Sequence, residues 1–331
     1  MVTGVQTCAL PIYVKDAEWI AELLQHGLLQ PSYIPSKDQR ELRELVQYRK
    51  SLVGERTREL NRLQKMLEGA NIKLSGTVTN INGKSARKIL EYILSGNEID
   101  EKKYDEMYEE KLIAHNLKAS KEQILDDLKG FMSPLQRRML KELLQHLDEL
   151  NVHIENLNDE IDNFMKPEEK QASQVIQDVT GIGNTSAQTI VAVIGTDMER
   201  FPSDRHISSW AGLCPGDNVS AKKRKSGKIR KGNALLKSTL VLCAHAAVRH
   251  KSSYFHAQFK RISTHRGKKR AYVAVAHSIL IAIYHILKDG VKYQDLGAEY
   301  YNQFNAERKI HAYLKKLKAL GWEPPKEAVP A

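Results

Sequence analysis

The chain has 331 residues, 41% of them hydrophobic, which is enough for two or three domains with real cores, and a net charge of +11. The charge is unevenly placed: residues 1–199 hold 25 Lys/Arg against 32 Asp/Glu, while residues 200–331 hold 26 against 8. This asymmetry directs the second segment toward a polyanion. The three cysteines, Cys8, Cys214 and Cys243, lack the spacing of a zinc ribbon or a disulfide framework and fit a reducing cytoplasm.

In chain order, "DAEWIAELLQHGLL" (16–29) predicts an amphipathic helix stopped near Gly27, after which Pro31 and Pro35 break the chain. The first twelve residues lack the basic start and long apolar core of a signal peptide. From Asp38 to Leu67 the pattern is helical again, with Leu42, Leu45, Leu52, Leu60, Leu63 and Leu67 near one stripe. A second long helix places Leu140, Leu143, Leu147, Leu150, Ile154, Leu157, Ile161 and Phe164 at spacings of three and four, a coiled-coil seam ended by Pro167. Two such helices pair either within one chain or between two chains, and the spacing does not choose.

After Pro167 the texture changes. "VIQDVTGIGNTSAQTIVAVIG" (175–195) sets a Gly-Ile-Gly turn between two apolar helices, the helix-hairpin-helix pattern. In it Gly181 and Gly183 let a phosphate approach the backbone and the amides of the next helix. The same spacing also suits a tight turn between packed helices. "CPGDNVSAKKRKSGKIRKGN" (214–233) then concentrates Lys222, Lys223, Arg224, Lys225, Lys228, Arg230 and Lys231 behind Ser220, with Ser226 inside the run. A phosphate-binding loop is the default reading. A serine attacking a phosphodiester needs positive groups around the developing charge, which these residues supply. His245, His250 and His256 lie at irregular spacing that suits packing or phosphate contact better than a metal. "AYVAVAHSILIAIYHIL" (271–287) raises a membrane question, but His277, Ser278, His285 and the preceding Lys268, Lys269 and Arg270 favour a buried core helix with a nucleic-acid-facing basic start. No HExxH, Walker or GxSxG motif occurs.

Together, "DAEWIAELLQHGLL", "RTRELNRLQKMLEGANIKL", "VTGIGNTSAQTIVAVIGTDMERFPS", "SSWAGLCPGDNVSAKKRKSGKIRKGNALLKSTL" and "GKKRAYVAVAHSILIAIYHILKDG" resemble a transposase of the IS110 insertion-sequence family, grouped with IS116 and IS902. The resemblance runs from Val14 to about Tyr301. It implies a nuclease-like domain of the Holliday-junction-resolvase fold with acidic residues in the order Asp, Glu, Asp, Asp, a helical coiled-coil region, and a C-terminal domain with a serine nucleophile. It also implies Mg²⁺ at the acidic site, DNA as substrate and a structured guide RNA as partner. The family's serine follows an "AGL-x-P" motif, here Ala211 to Pro215, which places the nucleophile at Ser220.

The last two family acids come as Asp-x-x-Asp-Ala. The second matches Asp16, before Ala17, but position 13 is Tyr13. "VTGVQTCALPI" (2–12) resembles a translated sequencing adapter ending in T, and that T in place of G turns an Asp codon into a Tyr codon. The expectation is therefore that residues 1–12 are an assembly artefact on a truncated chain. Asp16 would then be one Mg²⁺ ligand without a cage, a solvated N-cap here, and this fragment would hold no metal and be inactive in recombination. The expected architecture is mostly α: a nuclease-domain remnant at 13–35, a helical and coiled-coil region at 36–170, a serine transposase DNA-binding domain at 171–300 and a basic tail at 301–331. A homo-oligomer through the coiled coil and a cytoplasmic, nucleoid-associated location complete the expectation. The rival reading is a non-catalytic helix-hairpin-helix binder of branched DNA or structured RNA.

Overall fold

A computed structural model describes residues 13–28, 34–97, 99–113, 119–216, 218–220, 223–226, 229, 231–303 and 306–322. The fold is mostly α. In chain order the elements are α1 (Tyr13–Gln25), α2 (Lys37–Gly69), α3 (Leu74–Thr77), α4 (Lys84–Leu94), α5 (Glu101–Glu109), α6 (Lys121–Asp127), α7 (Pro134–Phe164), α8 (Pro167–Ile176), α9 (Asn184–Ile194) and α10 (Asp204–Trp210). A short pair of strands, β1 (Asn218–Ser220) and β2 (Lys223–Ser226), precedes α11 (Ala234–Ala247), α12 (Tyr254–Arg266), α13 (Lys268–Asp289), α14 (Gly297–Gln303) and α15 (Ala306–Ala319).

The two long helices pair with each other inside one chain, antiparallel. Ser36 caps α2 by accepting from Gln39 N–H, and Ser133 with Gln136 forms a capping box ahead of Pro134 on α7. At one end Lys166 Nζ lies 2.7 Å from Asp38 Oδ2; further along, Arg56 donates to Asn151 Oδ1 at 3.2 Å. The seam of α7 is buried against α2, so its leucines are covered within the chain. The seam also runs through Leu144 rather than Leu143, and Met165 rather than Phe164 fills its last place. On α2 the buried stripe passes through Val46 and Arg49, leaving Leu45 and Leu60 only partly buried. Adjacent helical positions differ by about 100°, so the position of the partner helix decides which neighbour is buried.

Two hydrophobic cores share this pair. One gathers Leu42, Val46 and Leu52 of α2 and Leu150 to Ile161 of α7 with α8, α9, α11 and α13. The other gathers Leu63 and Leu67 with Leu140 to Leu147 and the short helices α3 to α6. Helix α13 is long and apolar enough to cross a membrane by composition, but its Val275, Ala276, Ile279, Leu280 and Ile283 are fully buried in the first core. Helix α1 carries its apolar Val14, Ile20 and Leu24 on the surface.

Candidate nucleic-acid interface

The segment after α8 is a short turn that enters α9 at Gly183. The two hairpin glycines do different things. Gly181 adopts φ +93°, and a Cβ there would sit 2.5 Å from Cys243 O and 2.6 Å from Ala247 N on α11. It is therefore required for packing. Gly183 has φ −102°, ψ 170° and open space around it, with exposed Asn184 and Thr185 following. Among the described residues no side chain caps α9, so its first amides face outward.

Helix α9 is held from behind by α2. Arg43 donates from Nε to Ala192 O at 3.1 Å and from Nη2 to Val193 O, and Gln39 Nε2 donates to Ala192 O at 3.3 Å. Arg49 is 2% exposed and spans three helices. Its Nη1 donates to Gln188 Oε1 and Asn158 Oδ1, and its Nη2 to Thr185 O and Thr189 Oγ1. Gln188 Nε2 in turn donates to Asp162 Oδ1. Burial pulls the Arg49 pKa down to about 10, opposed by the Asp162 charge, so the guanidinium remains a cation at neutral pH. Sequence reading passed over Gln39, Arg43 and Arg49. The available signal was that Gln39 and Arg49 keep the three-and-four spacing of Leu42, Val46 and Leu52.

Beyond α10 the chain forms a hairpin instead of the expected loop. β1 and β2 pair antiparallel with Ser220 opposite Lys223, Val219 opposite Arg224 and Asn218 opposite Ser226; a bridge between Pro215 and Ile229 closes its base. A Cβ on Gly232 would fall on the backbone of Ala211 and Gly212, so the exit of the hairpin lies against the "AGL" segment that precedes its entry. Asn233 then caps α11 by accepting from Leu236 N–H at 2.9 Å. Ser220, Lys223, Arg224 and Lys225 thus belong to the strands by backbone, and Lys231 is exposed at the exit. Lys222, Lys228 and Arg230 lie outside the described residues. Lys50 of α2 reaches this end of the molecule by donating to Ser238 Oγ on α11.

Lys268, Lys269 and Arg270 form the exposed first turn of α13. His256 Nδ1 lies 2.7 Å from Val248 O and His245 stacks on Tyr272 at 3.5 Å, so both histidines pack. Asp16 is not an N-cap as expected: it lies inside the first turn of α1, exposed, where a carboxylate complements the helix dipole. Among the described residues no three His, Cys, Asp or Glu side chains converge as a metal site. Asp16 therefore does not fit a Mg²⁺ cage with the groups described.

Comparison with known proteins finds matches to two segments of the chain. The profile described as "Transposase IS116/IS110/IS902 family" matches residues 173–260, the α8 to α12 segment that contains the hairpin, and a second transposase profile, the DEDD domain of IS110 type, matches residues 14–72. The chain is 32% identical over 108 residues to the transposase for insertion sequence element IS1111A of Coxiella burnetii, covering 31% of this chain and 29% of the relative. It is 27% identical over 135 residues to the insertion element IS110 uncharacterized 43.6 kDa protein of Streptomyces coelicolor, covering 38% of this chain and 31% of the relative. The matches thus span about a third of the length of these curated relatives. Both profiles describe transposases of insertion sequences. Over residues 14–72 and 173–260 the chain is similar to transposases of the family that groups IS110, IS116 and IS902.

Proposed function

We propose that this chain is the DNA-handling part of an insertion-sequence recombinase whose nucleophile is Ser220. The observation that carries the reading is the position of Ser220: it ends a strand paired with the basic strand Lys223–Ser226, inside the segment matched to the transposase family. In the proposed step the Ser220 Oγ–P bond forms as the bond from phosphorus to one deoxyribose oxygen breaks. The serine proton is lost and the freed sugar hydroxyl gains one, leaving a covalent serine–DNA link. Lys222, Lys223, Arg224, Lys225, Lys228, Arg230 and Lys231 hold the phosphates and neutralise the charge gathering on the phosphoryl oxygens. Gly183 and the first amides of α9 take a neighbouring phosphate, and Lys268, Lys269 and Arg270 extend the track.

A structured guide RNA as second partner follows from the family resemblance and shares the same basic surface. Mg²⁺ at an acidic site including Asp16 belongs to the same resemblance; because Asp16 does not converge with other ligands among the described residues, no step is derived through it. Recombination joins two cuts, so two copies are proposed to meet on the nucleic acid by surfaces other than the buried α2–α7 seam.

The test is trapping of a protein–DNA adduct, resolved on a denaturing gel, with the product of the full source reading frame and its element DNA. Ser220→Ala is expected to abolish the adduct and recombination while keeping affinity, and Ser226→Ala to keep all three. The second reading, a non-catalytic binder of branched DNA or structured RNA, is favoured by the open Gly183 turn and requires that Ser220→Ala change nothing. Cleavage that survives Ser220→Ala points instead to nuclease action at the acidic site alone.

A further inference from the structure

Behind the hairpin turn, between α12, α13 and the segment leading to α14, lies a cavity of about 310 Å³. Phe255, Tyr293 and Ile281 give it apolar walls, and Ser278, Gln294 and Asp295 give it polar edges. The rings of Phe255 and Tyr293 are parallel to within 9°, with centroids 6.4 Å apart. Asp295 is fixed in place: Oδ1 accepts from Tyr254 N–H and Gly297 N–H, each at 2.9 Å, and Oδ2 accepts from Thr180 Oγ at 3.3 Å. Thr180 immediately precedes Gly181, so the cavity edge and the hairpin turn share a side-chain hydrogen bond. On the other edge Ser278 accepts from Gln258 Nε2 at 2.8 Å and donates to Ala274 O at 3.3 Å.

These features choose the ligand. A carboxylate is the one charged group on the lining and repels phosphate, although Lys251 and Lys292 are exposed close by in sequence to either side. Aromatic side chains on the lining favour a flat ligand, and the Asp295 carboxylate at the edge favours one carrying amino or imino hydrogens. At this size the cavity admits one small planar molecule. We infer that it receives a single unpaired nucleobase of the bound DNA or RNA, turned out of its stack while the basic surface outside holds the backbone. This inference rests on the nucleic-acid reading above and adds a base-binding site to it.

The experiment is fluorescence anisotropy of the full chain with four labelled probes of one sequence: a plain DNA duplex, the duplex with a one-adenine bulge, the same bulge with an abasic residue, and the adenine bulge in RNA. The adenine bulge is expected to bind about tenfold more tightly than the abasic bulge, in DNA, in RNA or in both, which identifies the source of the base. Ala282→Phe, which fills the cavity from α13, is expected to erase that preference while leaving plain-duplex affinity and the melting temperature unchanged. Gln294→Ala, at an exposed edge, reduces the preference without requiring the core to repack. Equal affinity for adenine and abasic bulges overturns the site while leaving the nucleic-acid reading standing, as does a preference that survives both substitutions. No affinity for any of the four probes overturns both.

Discussion

Arg49 of α2 and Gln188 of α9 meet in the interior, Nη1 to Oε1 at 2.5 Å, and this contact joins the long helix pair to the helix that follows the hairpin turn. Removing Arg49 leaves Gln188 Oε1, in the interior, and Asn158 Oδ1, half-buried, short of a donor. Arg49→Ala is expected to cost about 3 kcal/mol, read as a lower urea midpoint at unchanged slope. Arg49→Lys keeps the charge but not the fork, and is expected to recover less than half of that loss.

Gly181 and Gly183 separate fold from binding. Gly181→Ala forces a Cβ onto the α11 backbone at a positive φ and is expected to destabilise the chain by about 2 kcal/mol or more. Gly183→Ala adds a methyl in open space at an ordinary φ. It is expected to leave the melting temperature in place and to weaken DNA binding, because that methyl stands where a phosphate would approach. An affinity equal to the parent would remove Gly183 from the interface.

The leucines of α7 provide a register test. Leu144→Ala empties a place packed against α2 and α4 and is expected to cost about 2–4 kcal/mol. Leu143→Ala removes a side chain that is only partly buried and is expected to cost clearly less. Chemical denaturation of the two variants side by side decides the register.

His277 on α13 carries the acid response. Burial lowers its pKa below 6.5, against a smaller opposing pull from Asp204. The unfolded chain then binds this proton more readily than the folded one, so stability contributed by the neutral ring is complete above pH 6.5 and is lost as pH falls toward the folded-state value. Thermal melts from pH 7.5 to 5 are expected to show a declining midpoint in the parent, with a shallower decline in His277→Gln.

Helix existence and the apolar faces were legible in the sequence because a 3.6-residue period fixes them locally: α2, α7, α9 and α13 all fall where the pattern places them. What depends on a distant partner was not. The choice of Leu144 over Leu143, and the antiparallel pairing within one chain, are set by where α2 lies across the gap of α3 to α6. Arg49 read as a surface charge because its acceptors come from residues 158, 185, 188 and 189. At the candidate interface, the serine and its basic run were visible from composition, but the strand pairing that sets Ser220 opposite Lys223 was not, since charged residues carry little strand preference. Asp295 gave no signal, as its donors lie up to 115 residues away.

Helices α2 and α7 each pass from one core into the other, so the two halves of the molecule share their structural members. At about 1.5 Å per residue each helix is a strut of roughly 45–50 Å. The α3 to α6 head and the hairpin end cannot come apart as independent units, because loosening either one strips packing from the same two struts. A ligand that tightened the hairpin end would therefore also suppress the opening of the α3 to α6 head, and protease resistance of that head would become a distant gauge of its occupancy.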